Sequence, residues 1–406
     1  MFLPHYAPLS LDEGLRLAKM ISLEMSLGGH AMEGGRLWQP FWRGKRVLVT
    51  GHTGFKGAWL CLLLKELGAE VVGFARDIPT QPALFELAHL DDDLRSIRGD
   101  VRNFEHLRTT VRDAQPEIVI HMAAQSLVRR SYHEPLETYA TNVMGTAHVL
   151  EAVRQTSGVR VAIVVTSDKC YQNHDAIHGF VEADPMGGSD PYSSSKGCAE
   201  LITAAYRDSF FSSTAKAETA IATVRSGNVI GGGDWAEDRL VPDLMRAFAA
   251  DQPAAIRNPL FVRPWQHVLE PLKGYLMLAE KLWDAPGDFS EAWNFGPRDE
   301  DAQPVSVIAD RLAELWEGDA SWELAVGEQP CEAHSLKLNC EKAREELGWW
   351  PRTTLDTALQ WTVQWYQAFQ NGLDARAVTQ QQICQFLGTK IPLNTQVPTA
   401  GFAKAG

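Results

Sequence analysis

No stretch of the chain reaches the roughly 18 consecutive apolar residues that a bilayer-crossing helix needs. No membrane span and no membrane partner is therefore expected. Cysteine is scarce. The six residues, at 61, 170, 198, 331, 340 and 384, form no CxxC pair and show no metal-ligand spacing. That pattern argues against a disulfide scaffold and a metal site, and fits free thiols in a reducing cytoplasm. Positive charge is also in short supply. Lys and Arg number 38 against 51 Asp and Glu, a net charge of −13. A nucleic-acid partner is not expected on that balance. Solenoid repeats and low-complexity tracts are absent. What remains, 45% hydrophobic and 22% charged over 406 residues, suits a globular enzyme of one large domain plus a smaller lobe.

The pattern divides the chain into four parts. Residues 1–40 are an appended segment: helical apolar spacing from Leu11 to Leu27 is interrupted by charge, then broken by glycine pairs. Met25 or Met32 is an alternative first residue. Residues 41–225 alternate short apolar runs with helical stretches. This rhythm predicts a parallel, doubly wound α/β sheet of the Rossmann type. Residues 226–392 mix short elements into a smaller C-terminal substrate-binding lobe, interleaved with late sheet strands near Glu291 to Gly296. Residues 393–406 read as a mobile tail.

The first unit is Lys45 to Thr50, a buried strand, then Gly51-His52-Thr53-Gly54-Phe55-Lys56-Gly57, then a helix from Ala58 to Leu67. Glycines at this turn let a backbone approach a pyrophosphate at a helix N-terminus. Gly51, Thr53, Gly54, Phe55, Lys56 and Gly57 are therefore candidate cofactor contacts. Further strands are expected at Glu70 to Ala75, Leu94 to Arg98, Glu117 to His121, Val159 to Val165 and Ala220 to Arg225. At the end of the second strand Arg76 precedes Asp77. An arginine there suits a 2′-phosphate and an acid suits ribose hydroxyls, so this stretch leaves NAD and NADP open. Asp100, followed by Val101, stands at a strand end where it suits an adenine amino group or a turn cap. Ala123, Ala124 and Gln125 follow strand four with small residues. Asn142 lies in a helix expected from Glu134 to Arg154.

The fifth strand delivers Thr166, Ser167, Asp168 and Lys169. A helix from Pro191 to Phe211 carries Tyr192 and Lys196, four apart and so on one face. A lysine beside a phenol is expected to lower its pKa and ready it to take a hydroxyl proton. Asp168, Lys169 and Ser167 add an acid, an amine and a hydrogen-bond donor. All these groups fall at carboxyl ends of strands, where open parallel sheets bind ligands. Arginines match phosphate geometry, which makes Arg239 and Arg263 candidates for a diphosphate. Asn228 follows in a glycine-rich turn, and Gln125 with Ser126 is placed to meet a sugar. Trp265 reads as core.

These residues resemble the extended short-chain dehydrogenase/reductase superfamily of nucleotide-sugar enzymes. The resemblance rests on Gly51-x-x-Gly54-x-x-Gly57, Asp100, Ala123-Ala124, Tyr192-x-x-x-Lys196, Asn228 and Arg263-Pro264-Trp265-Gln266-His267-Val268, and runs from about Phe41 to Trp365. Thr166-Ser167-Asp168-Lys169-Cys170-Tyr171 and Gly231-Gly232-Gly233-Asp234-Trp235 are similar to its 4,6-dehydratase branch. The resemblance implies NAD as a retained, recycled cofactor. It implies CDP-glucose as the nucleotide sugar, CDP-4-dehydro-6-deoxy-D-glucose as product, and a place in surface-polysaccharide synthesis. By superfamily position it adds Asn294 and His334 as substrate contacts, and a homodimer or homotetramer built on the helices after Glu134 and Pro191. It implies Tyr192 as the proton acceptor, Lys196 as its partner and Asp168 as the acid at the 6-oxygen. Lys169 then acts as base or as electrostatic support. A 4-epimerase or reductase on the same fold, and a dinucleotide-sensing binding protein, are the rival readings.

Overall fold

The computed structural model describes residues 39–389, apart from 174–178, 212–218, 317 and 328–333. The expectations for residues 1–38, for the tail and for Cys331 lie outside the described residues.

Seven parallel strands form the main sheet, ordered β10-β6-β5-β4-β1-β2-β3. They are β1 (Arg46–Thr50), β2 (Glu70–Ala75), β3 (Arg95–Arg98), β4 (Ile118–His121), β5 (Val161–Val165), β6 (Ala220–Ser226) and β10 (Ala292–Phe295). β1 lies between β2 and β4, with Val49 opposite Gly73 on one side and Ile120 on the other. The strand order reverses at β1, so the crevice for a ligand opens beyond its carboxyl end. Strands buried on both faces need apolar residues on both. Val161–Val165 and Ala220–Ser226 are buried at every position.

Helix Phe55–Glu66 covers one face with eight consecutive buried residues, Gly57 to Leu64. A helix buried all round needs cover on its far side. Helix Ala375–Leu387, which the sequence reading missed, packs there. Two expected helices are interrupted. The Glu134–Arg154 stretch is Pro135–Tyr139, a π-helical turn Ala140–Met144, then Gly145–Arg154. The Pro191 helix ends at Tyr206 and passes into a second π-turn, Arg207–Phe211. The extra residue of such a turn re-aims side chains, and here it holds Asn142.

The C-terminal half carries a three-stranded sheet of β7 (Asn228–Ile230), β9 (Val262–His267) and β11 (Ala302–Pro304). A two-stranded sheet pairs β8 (Ala254–Ile256) with β12 (Trp322–Leu324). The halves are joined by packing. Trp59 Nε1 donates to Gly232 O at 2.9 Å, and the His267 ring sits edge-on to both Trp59 and Trp361. No described helix is long and apolar enough to cross a membrane.

Candidate active site

A cleft of about 1620 Å³ opens at the carboxyl ends of the main strands, between the sheet and the C-terminal half. Pockets for one small ligand span roughly 300–1,000 Å³, so this one has room for two. The glycine turn lines one end, the strand-five residues the middle, and Arg239, Arg257 and Arg263 the far wall.

At the glycine turn, Gly51 has φ +75°, and a Cβ there would stand 2.8 Å from the Ala123 backbone. A Cβ at Gly57 would stand 2.2 Å from Gly51 O. Both contacts pull the helix start down onto the strand ends. The N-cap, Gly54, offers no side chain to the first N–H groups of the 12-residue helix, so those donors face the cleft. Orphan amides at a helix N-terminus suit a phosphate, and the cradle therefore fits a dinucleotide pyrophosphate. Phe55 and Val101 line the same end, and Thr53 Oγ1 donates to Asp77 O at 2.6 Å. Arg76 is paired with Glu137 at 2.8 Å and Asp77 at 2.9 Å, so a 2′-phosphate there would meet two carboxylates. Asp100 lines the cleft, but Arg102 holds its carboxylate through Nε at 2.9 Å and Nη2 at 2.5 Å.

Ala123, Ala124, Gln125 and Ser126 also line the cleft. The Gln125 amide is occupied by the Leu127 backbone and by Thr138. Asn142 is not on the wall. It is buried behind it, bonded to the Gln125 backbone on both sides and to Ser195 at 2.9 Å. Asn142 thus positions the turn from below.

Ser167 caps the short turn Asp168–Cys170 by accepting from Lys169 N at 3.2 Å. That turn presents Asp168 and Lys169 to the cleft alongside Thr166 and Ser167. Asp190 caps the next helix through Ser193 N at 2.9 Å, with Pro191 in its first turn. Such a start fixes where the helix begins, and it sets Tyr192 and Lys196 on the cleft wall. Asp168 is 3% exposed. Its Oδ1 accepts from Ser167 Oγ at 3.0 Å, and its Oδ2 has no partner. Burial raises its pKa, against Lys169, Ser167 and Arg263.

The expected lowering of the Tyr192 pKa is overturned. Burial pushes the phenol up to about 12, and hydrogen bonding to Ser167 and the Arg239 charge offset this only in part. Lys196 is itself lowered to about 8 by burial, and its Nζ donates to Val165 O at 3.2 Å.

Arg263 is 6% exposed, its guanidinium held by the carbonyls of Val262 at 2.9 Å and His334 at 3.2 Å. Arg239 reaches Ser126 Oγ at 3.2 Å and Asp234 at 3.5 Å. Asn228 lines the cleft beside Gly227. Two expected contacts lie elsewhere. Asn294 is fully buried under the sheet end, bonded to Tyr171 Oη at 2.7 Å and to the carbonyls of Phe180 and Asn339. His334 is exposed off the cleft wall, and its backbone does the work of holding Arg263. Trp265 is core, as expected, donating to Gln303 O.

The sequence reading missed two groups. Asp238 joins Arg129 at 3.2 Å to Arg257 at 2.8 Å across the cleft mouth. Under strand five, Glu200 bonds Thr166, Thr223 and Arg225 in a fully buried network. Glu200 stands one helical turn after Lys196, and a carboxylate on that buried face was the available signal.

The model of the NAD dependent epimerase/dehydratase family matches residues 47–296. The chain belongs to this family. Among its curated members, the CDP-glucose 4,6-dehydratase of Salmonella typhimurium is 53% identical over 349 residues, 86% of this chain and 97% of that protein. The dTDP-glucose 4,6-dehydratase of Xanthomonas campestris pv. campestris is 26% identical over 339 residues, 79% of this chain and 92% of that one. Among solved structures, an epimerase from Methanothermobacter thermautotrophicus shares the fold at a TM-score of 0.71 and 23% identity, covering 81% of this chain and 94% of its own.

Proposed function

We propose that this protein is an NAD-dependent hydro-lyase that converts CDP-glucose to CDP-4-dehydro-6-deoxy-D-glucose and water. The observation that carries the reading is the 53% identity to a CDP-glucose 4,6-dehydratase across nearly its whole length. The site supports it: a buried carboxyl with a raised pKa stands on the same cleft wall as Tyr192 and Lys196.

The glycine turn would hold NAD, offering the backbone amides of Phe55, Lys56 and Gly57 to a pyrophosphate, with the small Ala123 and Ala124 leaving room for close approach. When bound, NAD would supply a hydride acceptor for C4 and a hydride donor for C6. Tyr192 acts as the phenolate: its own proton leaves first, and it then takes the 4-hydroxyl proton while Ser167 hydrogen-bonds the same oxygen. The resulting ketone acidifies C5. Lys169 acts there, as a neutral base or as a cation against the enolate. Asp168, kept as the acid by burial, protonates the departing 6-oxygen. Arg263 and Arg239 hold the diphosphate, and Asn228 donates to the diphosphate or to the sugar. The product is an activated deoxysugar precursor for surface polysaccharide. The free thiols at Cys61, Cys170, Cys198, Cys340 and Cys384 suit a cytoplasmic setting.

The homodimer or homotetramer expected from the sequence is part of this proposal. Leu136 at 83% exposure, with Met144 and Leu201, presents apolar side chains on the two helices named for it. Tyr139 Oη and Ser194 Oγ, 2.7 Å apart, tie those helices together. The test of the activity is a substrate panel of CDP-, UDP-, GDP- and dTDP-glucose with NAD. Loss of water from CDP-glucose is expected. CDP-glucose returned unchanged overturns the reading.

A further inference from the structure

The mechanism above gives Arg239 and Arg263 a task and leaves Arg257 and Arg129, which line the same cleft, without one. Both donate to one atom. Asp238 Oδ1 accepts from Arg257 Nη1 at 2.8 Å and from Arg129 Nη1 at 3.2 Å. Three pieces of chain meet there: Arg129 on the short helix Val128–His133, Asp238 on the loop after the glycine run, and Arg257 directly after β8. Stability does not explain the cluster. The side chains of Arg257, Arg129 and Asp238 keep 27%, 35% and 38% of their surface in solvent, and ion pairs as wet as these add little to a fold. One carboxylate between two guanidiniums also leaves a net positive charge, in a protein whose own net charge is −13. A diphosphate brings more charge and more acceptor oxygens than the single Oδ1 that both arginines share.

We propose that Arg257 and Arg129 are further diphosphate ligands and that Asp238 is their exchangeable counter-ion, displaced when the sugar nucleotide enters the cleft. The loop is built for such an exchange. Its root is fixed: Tyr366 Oη donates to Asp234 O, and Arg246 donates to the carbonyls of Trp235 at 2.9 Å and Ala236 at 3.3 Å. Beyond that root, Glu237 and Asp238 are exposed. Arg257 Nη2 also donates to Asp238 O at 3.0 Å, so the main chain stays tied when the carboxylate leaves. Until the anion arrives, Asp238 holds the two guanidiniums in place and screens each from the other. The inference deepens the dehydratase reading and rests on it for the identity of the anion.

Calorimetric titration of CDP into the full-length, NAD-saturated protein tests the exchange. Asp238→Asn removes the charge and keeps the shape, and asparagine tolerates the left-handed backbone found there, φ +59°. CDP should bind this variant about threefold or more tighter than wild type, because no carboxylate has to be displaced. Cytidine, which has the base and no phosphate, should show no such gain. Arg257→Met should weaken CDP by about tenfold or more, and in that background the gain from Asp238→Asn should shrink. CDP binding that is unchanged or weaker in Asp238→Asn makes the carboxylate a fixed latch and overturns the inference. An equal gain with cytidine, or a gain that persists in full beside Arg257→Met, overturns it too. Turnover is read separately. Wild-type protein that shows this CDP pattern but dehydrates no sugar nucleotide sinks the dehydratase reading alone.

Discussion

Two side chains on the cleft wall carry opposite burdens. Tyr192 must lose a proton that burial makes it hold, and Asp168 must hold a proton that burial helps it keep. Tyr192→Phe removes the proton acceptor while leaving the ring in place. Turnover should fall by about 10²–10⁴-fold with NAD binding unchanged, read by rate and by calorimetry. Asp168→Asn keeps the shape but cannot act as acid. Single-turnover absorbance should show reduced cofactor forming and persisting, because oxidation at C4 proceeds and water does not leave. The pH sign follows from the raised Asp168 pKa: activity in elimination is lost as pH rises through the folded value. Asp100 and Asn294 mark what sequence could not show at this scale. Their positions were readable, but Arg102 takes the one carboxylate and Tyr171 with Phe180 takes the other side chain. Such partners are set by tertiary packing.

Among the elements, β5 and the Pro191–Tyr206 helix bring the chemistry together, and Glu200 fastens one to the other. It bonds Thr166 at the end of β5 and pairs with Arg225 on β6 at 2.7 Å. Removing one partner of a buried pair leaves the other charge uncompensated. Glu200→Gln should therefore destabilise the fold by about 3–5 kcal/mol in urea unfolding, while Glu341→Gln on the exposed surface should change little. The strands themselves were readable because each carries an apolar run closed by turn residues. Helix Ala375–Leu387 was not. Its buried face includes Thr379 and Gln382, so apolar periodicity is weak, and its burial comes from packing on the distant Phe55–Glu66 helix. The π-turns were equally invisible, since one inserted residue leaves no compositional mark.

Across the whole molecule, the halves close on His267. Its ring is fully buried between Trp59 and Trp361, and its Nδ1 accepts from Leu269 N at 3.3 Å. Burial lowers its pKa from 6.5 to about 3. As pH falls below 6.5 the unfolded ring binds a proton that the folded ring refuses. This one group then withdraws about 1.4 kcal/mol of stability per pH unit until pH nears its folded value. Unfolding midpoints at pH 7 and pH 5 should diverge more in the wild type than in His267→Gln. Assembly belongs to the same scale. Leu136→Glu with Leu201→Glu places charge on both exposed helices and should turn a sedimenting dimer into monomer with its fold intact by circular dichroism. The most direct test of the dehydratase assignment follows one atom. CDP-glucose deuterated at C4, turned over with unlabelled NAD, should give a product one water lighter with the deuterium at C6. Deuterium that is absent from the product, or a sugar that is recovered unchanged, contradicts it.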